Sequence, residues 1–574
     1  MKNATAKQAM HTGSILTVLG CALLAGASPT SAADVTYSRL MNPEPRNWLM
    51  NHGDYNAHRY SSLDRINKAN VKNLRFAFSV AIGQKAGNEN LLATPLVDDG
   101  FMYMTDAWGV VYKIDVRSGT SGPIVWKMDP AQAKIDRNRG AALWNNLVIS
   151  VTSHDGRVIA TDKETGQVVW DKNLHDKTDM SLNAAPLALR DSIIIGASGG
   201  DAGVRNWLVA LDGKTGNELW RLYSVPAPGE PGHETWKDKN NAWQTGGGAF
   251  YVTGSYDPAT NTTFWGSGNP SPKYDSSYRP GDNLYTNSAL AIDAATGKLR
   301  WFHQYTPNDT MDFDESGSHI LIDTKVNGED RKLVTRAGRN GFHYRFDRGS
   351  GQFIGATQFA AKVTWTKGID QKTGKPVDYD PNKDLQTYAE PIAKILNGEK
   401  SSFCPGVPGG NNFWSAAYSR QTKLLYIPEL QGCTSAVRDQ TRHVRGSFDG
   451  GAFFYDERVT SSLVVLDPST GEIKQRKNMP YGNSSGALAT AGGLIFTALL
   501  DGTIMALDDQ TLEELWSINV GTGVNAAPIA YEVDGKQYIA IATGLTRNQV
   551  GRLANSPETR GLAKHATMLF VFGL

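Results

Sequence analysis

One phrase recurs along the chain and restricts what it can fold into. It reads VIATDKETGQVVW, LVALDGKTGNELW, LAIDAATGKLRW and IMALDDQTLEELW, with looser copies VYKIDVRSGTSGPIVW, HYRFDRGSGQF and LVVLDPSTGEIKQ. In the four strong copies the Asp-to-Trp offset is constant: Asp162 to Trp170, Asp212 to Trp220, Asp293 to Trp301 and Asp508 to Trp516. An alternating apolar strand ends at the Asp, whose side chain can cap a tight turn. A Gly, where present, takes a positive φ, and the returning strand carries Trp to a fixed place. A unit of this kind cannot bury both faces alone, so copies stack radially about an axis. The expected fold is all-β, an eight-bladed β-propeller with Trp-docking repeats, with seven blades the alternative. Seven copies are marked, the stretch FWSAAYSRQTKLLYIPEL between Asp347 and Asp467 leaves room for another, and NLRFAFSV is expected to pair with MLFVFGL to close the ring. A linear β-solenoid fits less well, because the spacing between copies varies.

Charge is balanced, 58 Lys and Arg against 57 Asp and Glu, which lacks the basic excess of a nucleic-acid binder. The N-terminus places Lys2 and Lys7 before the apolar run ILTVLGCALLA and the small residues TSAA. This reads as a secretory signal over residues 1–33, cleaved near Ala32 or Ala33, with residues 34–574 a single domain and a periplasmic location. Lipidation at Cys21 is the alternative, although Leu19 is a poor residue for it. No later segment is long and apolar enough to cross a membrane. Cys404 and Cys433 remain after cleavage, and in an exported chain they read as a disulfide or, less naturally, as two buried thiols. No C-x-x-C-H occurs, so the sequence offers no c-type haem site.

NDTMDFDES, residues 308–316, crowds Asp309, Asp312, Asp314 and Glu315 just after a Trp-bearing strand. Such a run is either a solvated loop or a group of acids that hold a cation and do chemistry. The segments DRNRG, SGGDAGVR, GSGNPSP, RPGDNLYT, TPNDTMDFD, GRNGFHYRFDR and CPGVPGGNNFW surround it in sequence. Together, and in this order, they resemble the quinoprotein alcohol dehydrogenases of the methanol and ethanol type, from NWLMNHGDYNAHRY to the C-terminus. That family's members are eight-bladed propellers with pyrroloquinoline quinone (PQQ) and a metal ion on the axis.

The resemblance implies Asp312 as catalytic base, and Asp201, Asn269 and Asp312 as metal ligands. Hard oxygen donors suit a calcium-like ion. Asp314 would add a ligand associated with trivalent lanthanides, since one more negative donor suits one more positive charge. Asp309 and Glu315 take no family role and are expected to face solvent. Arg139 and Arg339 would contact the cofactor, their planar forks suiting carboxylate and quinone oxygens. Asn183, Ser198, Gly199, Tyr251 and Asn412 complete its pocket. Cys404 and Cys433 match the family's separated disulfide.

The departures are specific. The family's adjacent-cysteine disulfide is replaced by Ala133 and Lys134, its stacking Trp by Tyr251, a Glu by Leu92, and two Thr contacts by Asn183 and Ala249. Asp201 stands for a usual Glu. Two substrate-side Trp positions are lost, around Ser484 and in ATGLTRNQV. These changes imply a roomier pocket and an alcohol bulkier than methanol, with electrons leaving to a separate cytochrome c or similar acceptor. Two rivals remain. One is a binding propeller like the outer-membrane assembly lipoprotein, and the other a hydrolase using Asp312 and Asp314 as an acid–base pair.

Overall fold

The computed structural model describes residues 33–83, 91–135, 137–175, 180–443, 446, 448–545 and 566–574. The expected signal segment, apart from Ala33, lies outside these residues. Among them the chain is almost entirely strand and turn. The α-helices Tyr37–Met41 and Glu390–Leu396 are short, and no helix is long and apolar enough to cross a membrane.

Most strands form antiparallel four-stranded meanders of consecutive strands, and Tyr60–Ser61 adds in parallel to Ala487–Thr490 at the edge of one of them. One sheet runs Leu187–Ala188, Ser192–Gly196, Trp207–Asp212, Glu218–Tyr223; the next runs Ser255–Asp257, Thr262–Gly266, Ser288–Asp293, Leu299–Gln304. Inner strands such as Ser192–Gly196 and Thr262–Gly266 are buried along their whole length, because each sheet is covered on both faces by its neighbours. The outermost strands, such as Val168–Asn173, are largely exposed. This is a β-propeller.

The recurring phrase builds the joint between sheets. Asp212 Oδ1 accepts hydrogen bonds from the Lys214 and Thr215 amides and the Thr215 hydroxyl at 2.8–3.1 Å, and Asp162 and Asp293 repeat the pattern. The following glycine takes the left-handed backbone, as at Gly216 with φ 69°. A β-bulge then shifts the register, and the Trp indole N–H donates to the turn of the next sheet. Trp170 reaches the Gly213 carbonyl at 3.2 Å, Trp220 that of Ala294 at 3.0 Å and Trp301 that of Arg348 at 3.2 Å. A Cβ on Gly297 would stand 2.6 Å from the Trp220 ring, so glycine is required there both by its φ and by the close approach. In the Asp508 copy, Leu512 occupies the glycine place and still adopts φ 57°.

The termini close the ring as expected. Arg75–Ala81 pairs antiparallel with Met568–Gly573, beside Lys536–Thr543 and Ile529–Val533, and the Trp516 indole donates to the Leu74 carbonyl at 3.1 Å. The extra unit expected around FWSAAYSRQTKLLYIPEL is corrected. Ala417–Tyr418 and Leu425–Gln431 are the inner strands of the sheet whose outer hairpin, Thr460–Leu466 and Ile473–Met479, carries the Asp467 copy. The unmarked sheet is instead the closing one. Between those hairpins the chain forms Thr434–Arg438 and Gly451–Tyr455, which join Ser401–Phe403, a strand that precedes both hairpins, in a separate three-stranded sheet.

Candidate functional site

The acidic loop is shaped by its own first carboxylate. Asp309 accepts the Met311 amide through Oδ1 at 2.8 Å and the Phe313 amide through Oδ2 at 2.9 Å. The residue between them, Asp312, takes a left-handed backbone with φ 64°. The expectation that Asp309 and Glu315 face solvent is overturned, since they are 1% and 0% exposed. Glu315 is paired with the Arg336 guanidinium at 3.1 Å and accepts the Asn340 amide. Arg336 in turn binds Asn411 and the Asn412 carbonyl. An acidic run looks solvated in sequence, but here Asp309 is held by amides of its own loop and Glu315 by a guanidinium 21 residues away.

A cavity of about 530 Å³ lies beside this loop, and all eleven residues expected to bind cofactor or metal line it. Asp201 and Gly199 come from the turn after Ser192–Gly196, where Gly199 has φ 98°. Asn269 follows Thr262–Gly266, and Arg339 follows the strand Glu329–Ala337. The Arg139 guanidinium stacks 4.9 Å from the Tyr251 ring and 5.0 Å from Phe413. The Tyr251 hydroxyl donates to Asn412 Oδ1 at 2.8 Å. Arg339 donates to the Val407 carbonyl, binds Asp314, and lies 3.5 Å from Asp312 Oδ2.

Three buried oxygens on the lining have no hydrogen-bonding partner: Asp312 Oδ1, Asn183 Oδ1 and Ser198 Oγ. Buried polar atoms are normally satisfied, so these are suited to a bound group. Burial pushes the Asp312 carboxyl well above the usual range, against the pull of Lys273 and Arg339. Desolvation in the cavity works against Asp201 as well, yet the Lys273 ammonium holds that carboxyl below the usual range. Asp314 is fully engaged, with Oδ1 accepting the Asn269 amide at 3.1 Å and Oδ2 bound by Arg339.

Sequence reasoning missed two members. Lys273, four residues past Asn269 and immediately after the GSGNPSP segment, reaches Asp201 at 3.2 Å and Asp312 at 3.8 Å. Asp449, which sits 2.8 Å from Lys273, comes from the excursion outside the ring and carries no signal of its own. Ser484 does not line the cavity; it is buried and donates to Asn525 at 2.7 Å. Residues 546–550 of ATGLTRNQV lie outside the described residues. Cys404 and Cys433 form a disulfide.

The lining fits a flat anionic cofactor: it offers the guanidinium groups of Arg137, Arg139 and Arg339, an aromatic face and unsatisfied oxygens. It also supplies hard donors for a cation in Asp201, Asn269 and Asp312. Among the described residues, however, no three His, Cys, Asp or Glu side chains close into a metal-sized cluster as they stand.

The chain matches the family described as glucose/ethanol/alcohol dehydrogenase, β-propeller domain (PQQ), over residues 48–358 and 459–539. It is 34% identical over 558 residues to a quinohemoprotein alcohol dehydrogenase of Comamonas testosteroni, covering 90% of this chain and 75% of that protein. It is 33% identical to the quinoprotein alcohol dehydrogenase PedH of Pseudomonas putida, covering 92% and 91%. Among solved structures, a europium-containing methanol dehydrogenase superposes with a TM-score of 0.85 at 30% identity, covering 94% of this chain and all of that one. The propeller, the cavity and these matches agree: the chain belongs to the PQQ-dependent alcohol dehydrogenase family, whose members are oxidoreductases.

Proposed function

We propose that the protein is a periplasmic quinoprotein alcohol dehydrogenase that oxidises a primary or secondary alcohol to an aldehyde or ketone. One observation carries the reading. Eleven residues scattered from Arg139 to Asn412 converge on a single cavity around the unpartnered, buried Asp312 Oδ1. That oxygen is the atom that would take the hydroxyl proton. Arg339, 3.5 Å from Asp312, opposes the burial that favours the neutral acid, and a bound cation would add to it in favouring the ionised carboxylate a base requires. Tyr251 and Arg139 would flank the cofactor, with Asn183, Ser198, Gly199 and Asn412 at its edge. PQQ supplies a carbonyl that accepts hydride, and a hard cation, Ca²⁺ or a trivalent lanthanide, would polarise it.

Asp201, Asn269 and Asp312 would hold the cation. Asp314 would join them for a more highly charged ion by giving up its bond to Arg339. Similarity to a methanol dehydrogenase that contains europium supports a lanthanide as one candidate. The lost Trp at Tyr251 and the small Ala249 on the lining favour an alcohol bulkier than methanol. Lacking a C-x-x-C-H motif, the chain would pass electrons to a separate cytochrome c or similar acceptor. The N-terminal segment supports export, with residues 34–574 forming one catalytic unit. Eight sheets of at least four strands among the described residues support eight blades.

Dye-linked oxidation of small and bulky alcohols by purified apoprotein, with PQQ and Ca²⁺ or La³⁺ added, tests the reading. Turnover that needs both PQQ and a metal is expected. No turnover with either ion, in folded protein, would overturn it.

A further inference from the structure

The GSGNPSPK segment carries Lys273 into the cavity, where its side chain is 9% exposed. Its ammonium lies 2.8 Å from Asp449 Oδ1, 3.2 Å from Asp201 Oδ2 and 3.8 Å from Asp312 Oδ2. An ammonium is a compact charge with three donors on a flexible stem, so it can serve several carboxylates and can also move among them. Two of these carboxylates, Asp201 and Asp312, are those proposed above for the cation. A metal ion and an ammonium cannot both occupy the space between them. Like charges at such separations repel strongly away from bulk water, and a multivalent ion raises that repulsion. Asp449, the nearest of the three, belongs to the loop outside the ring and is not among the proposed ligands.

We propose that Lys273 is a tethered cation that competes with the metal for Asp201 and Asp312, and yields to it by withdrawing onto Asp449. The inference rests on the metal site of the proposed function. It makes Lys273 a positioning residue that sets how tightly, and at what ion concentration, the site fills. Before loading, the same ammonium keeps the carboxylates from facing one another uncompensated, which would destabilise the metal-free fold.

Isothermal titration of apoprotein with Ca²⁺ and with La³⁺, in the presence and absence of PQQ, gives the direct readout. Lys273→Met is expected to bind the preferred ion at least about 10-fold more tightly than wild type, an increase that a merely structural lysine would not produce. Lys273→Gln, which keeps a donor but no charge, serves where the Met variant fails to fold. Asp449→Asn leaves Lys273 in place, removes its alternative partner, and is expected to bind more weakly. Unchanged or weaker binding by the Lys273 variants overturns the competition while leaving the metal site standing. For Asp449→Asn, binding as tight as wild type overturns its part in the exchange. Absence of binding by wild type and both Lys273 variants refutes the metal site itself, and this inference with it.

Discussion

Asp309 holds Asp312 by the amides on either side of it, one carboxylate oxygen on Met311 N and the other on Phe313 N, at 2.8 and 2.9 Å. The turn that results keeps Asp312 at φ 64°, a conformation that non-glycine residues reach only when their surroundings impose it. Asp309→Ala removes both acceptors. It is expected to lower kcat about 10-fold or more while the fold persists, because misplacing a reacting group by about 1 Å can cost a factor of about 100. Dye-linked kinetics alongside circular dichroism would check this, and an unchanged kcat would show that the turn forms without the carboxylate.

Asp312→Asn keeps the shape and removes the base. A loss of about 10²- to 10⁴-fold in kcat is expected, the usual range for general-base catalysis. Burial already disfavours the charged form of Asp312, so the thermal midpoint should hold or rise. A variant retaining more than about a tenth of the activity would move the base elsewhere.

How much of this was legible beforehand depends on distance along the chain. The joints between sheets were readable, because Asp, Gly and Trp act within one hairpin and at constant phase. Arg139, Asp201 and Asn269 were readable because each sits in a distinctive turn of the family. Asp309 and Glu315 were misread because composition describes a loop as if water surrounded it. Their true partners are two amides in the next turn and a guanidinium 21 residues away. Asp449 was invisible, since it belongs to an excursion whose return to the cavity no local pattern announces.

Glu315 and Arg336 form a buried pair, 0% and 1% exposed in their side chains, that bonds both the turn carrying Arg339, at Asn340, and the loop carrying Asn412. Arg336→Met would leave the carboxylate unpaired and is expected to cost about 3–5 kcal/mol. Combining it with Glu315→Gln should recover a large part of that cost. Urea denaturation of the two single variants and the double variant would measure the coupling, and purely additive effects would argue against it.

Stability should fall with acid below the ordinary histidine range. His343 is 0% exposed with neither ring nitrogen hydrogen-bonded, and burial, with Arg345 adding, lowers its pKa to about 3. His319 is likewise lowered to about 3, by burial and by Arg336. From about pH 6.5 down to 3 the unfolded chain takes up protons that the folded one refuses, so each histidine removes about 1.4 kcal/mol per pH unit across that window. Above pH 6.5 neither contributes. Urea midpoints at pH 7.5, 6.0 and 5.0 should show a shallower slope for His343→Leu than for wild type. Parallel slopes would mean His343 titrates normally.

The Cys404–Cys433 bond spans 29 positions and fastens the segment whose Val407 carbonyl receives Arg339. Replacing both cysteines by serine is expected to remove about 3–4 kcal/mol by the chain-entropy relation. Differential scanning calorimetry with and without reductant would check it, and a reductant-insensitive midpoint would argue against the bond.

The pairing of Arg75–Ala81 with Met568–Gly573 has a consequence for how the molecule comes into being. The two strands lie far apart in the chain, so the ring cannot shut until both have been made and have met. Because the cavity draws residues from several sheets of the ring, loss of Met568–Gly573 is expected to disturb the site as well as the closing sheet. The closing strand is a clasp: until it pairs, the facing edges of Arg75–Ala81 and Lys536–Thr543 are left open and the sheets that build the cavity are not held in a ring.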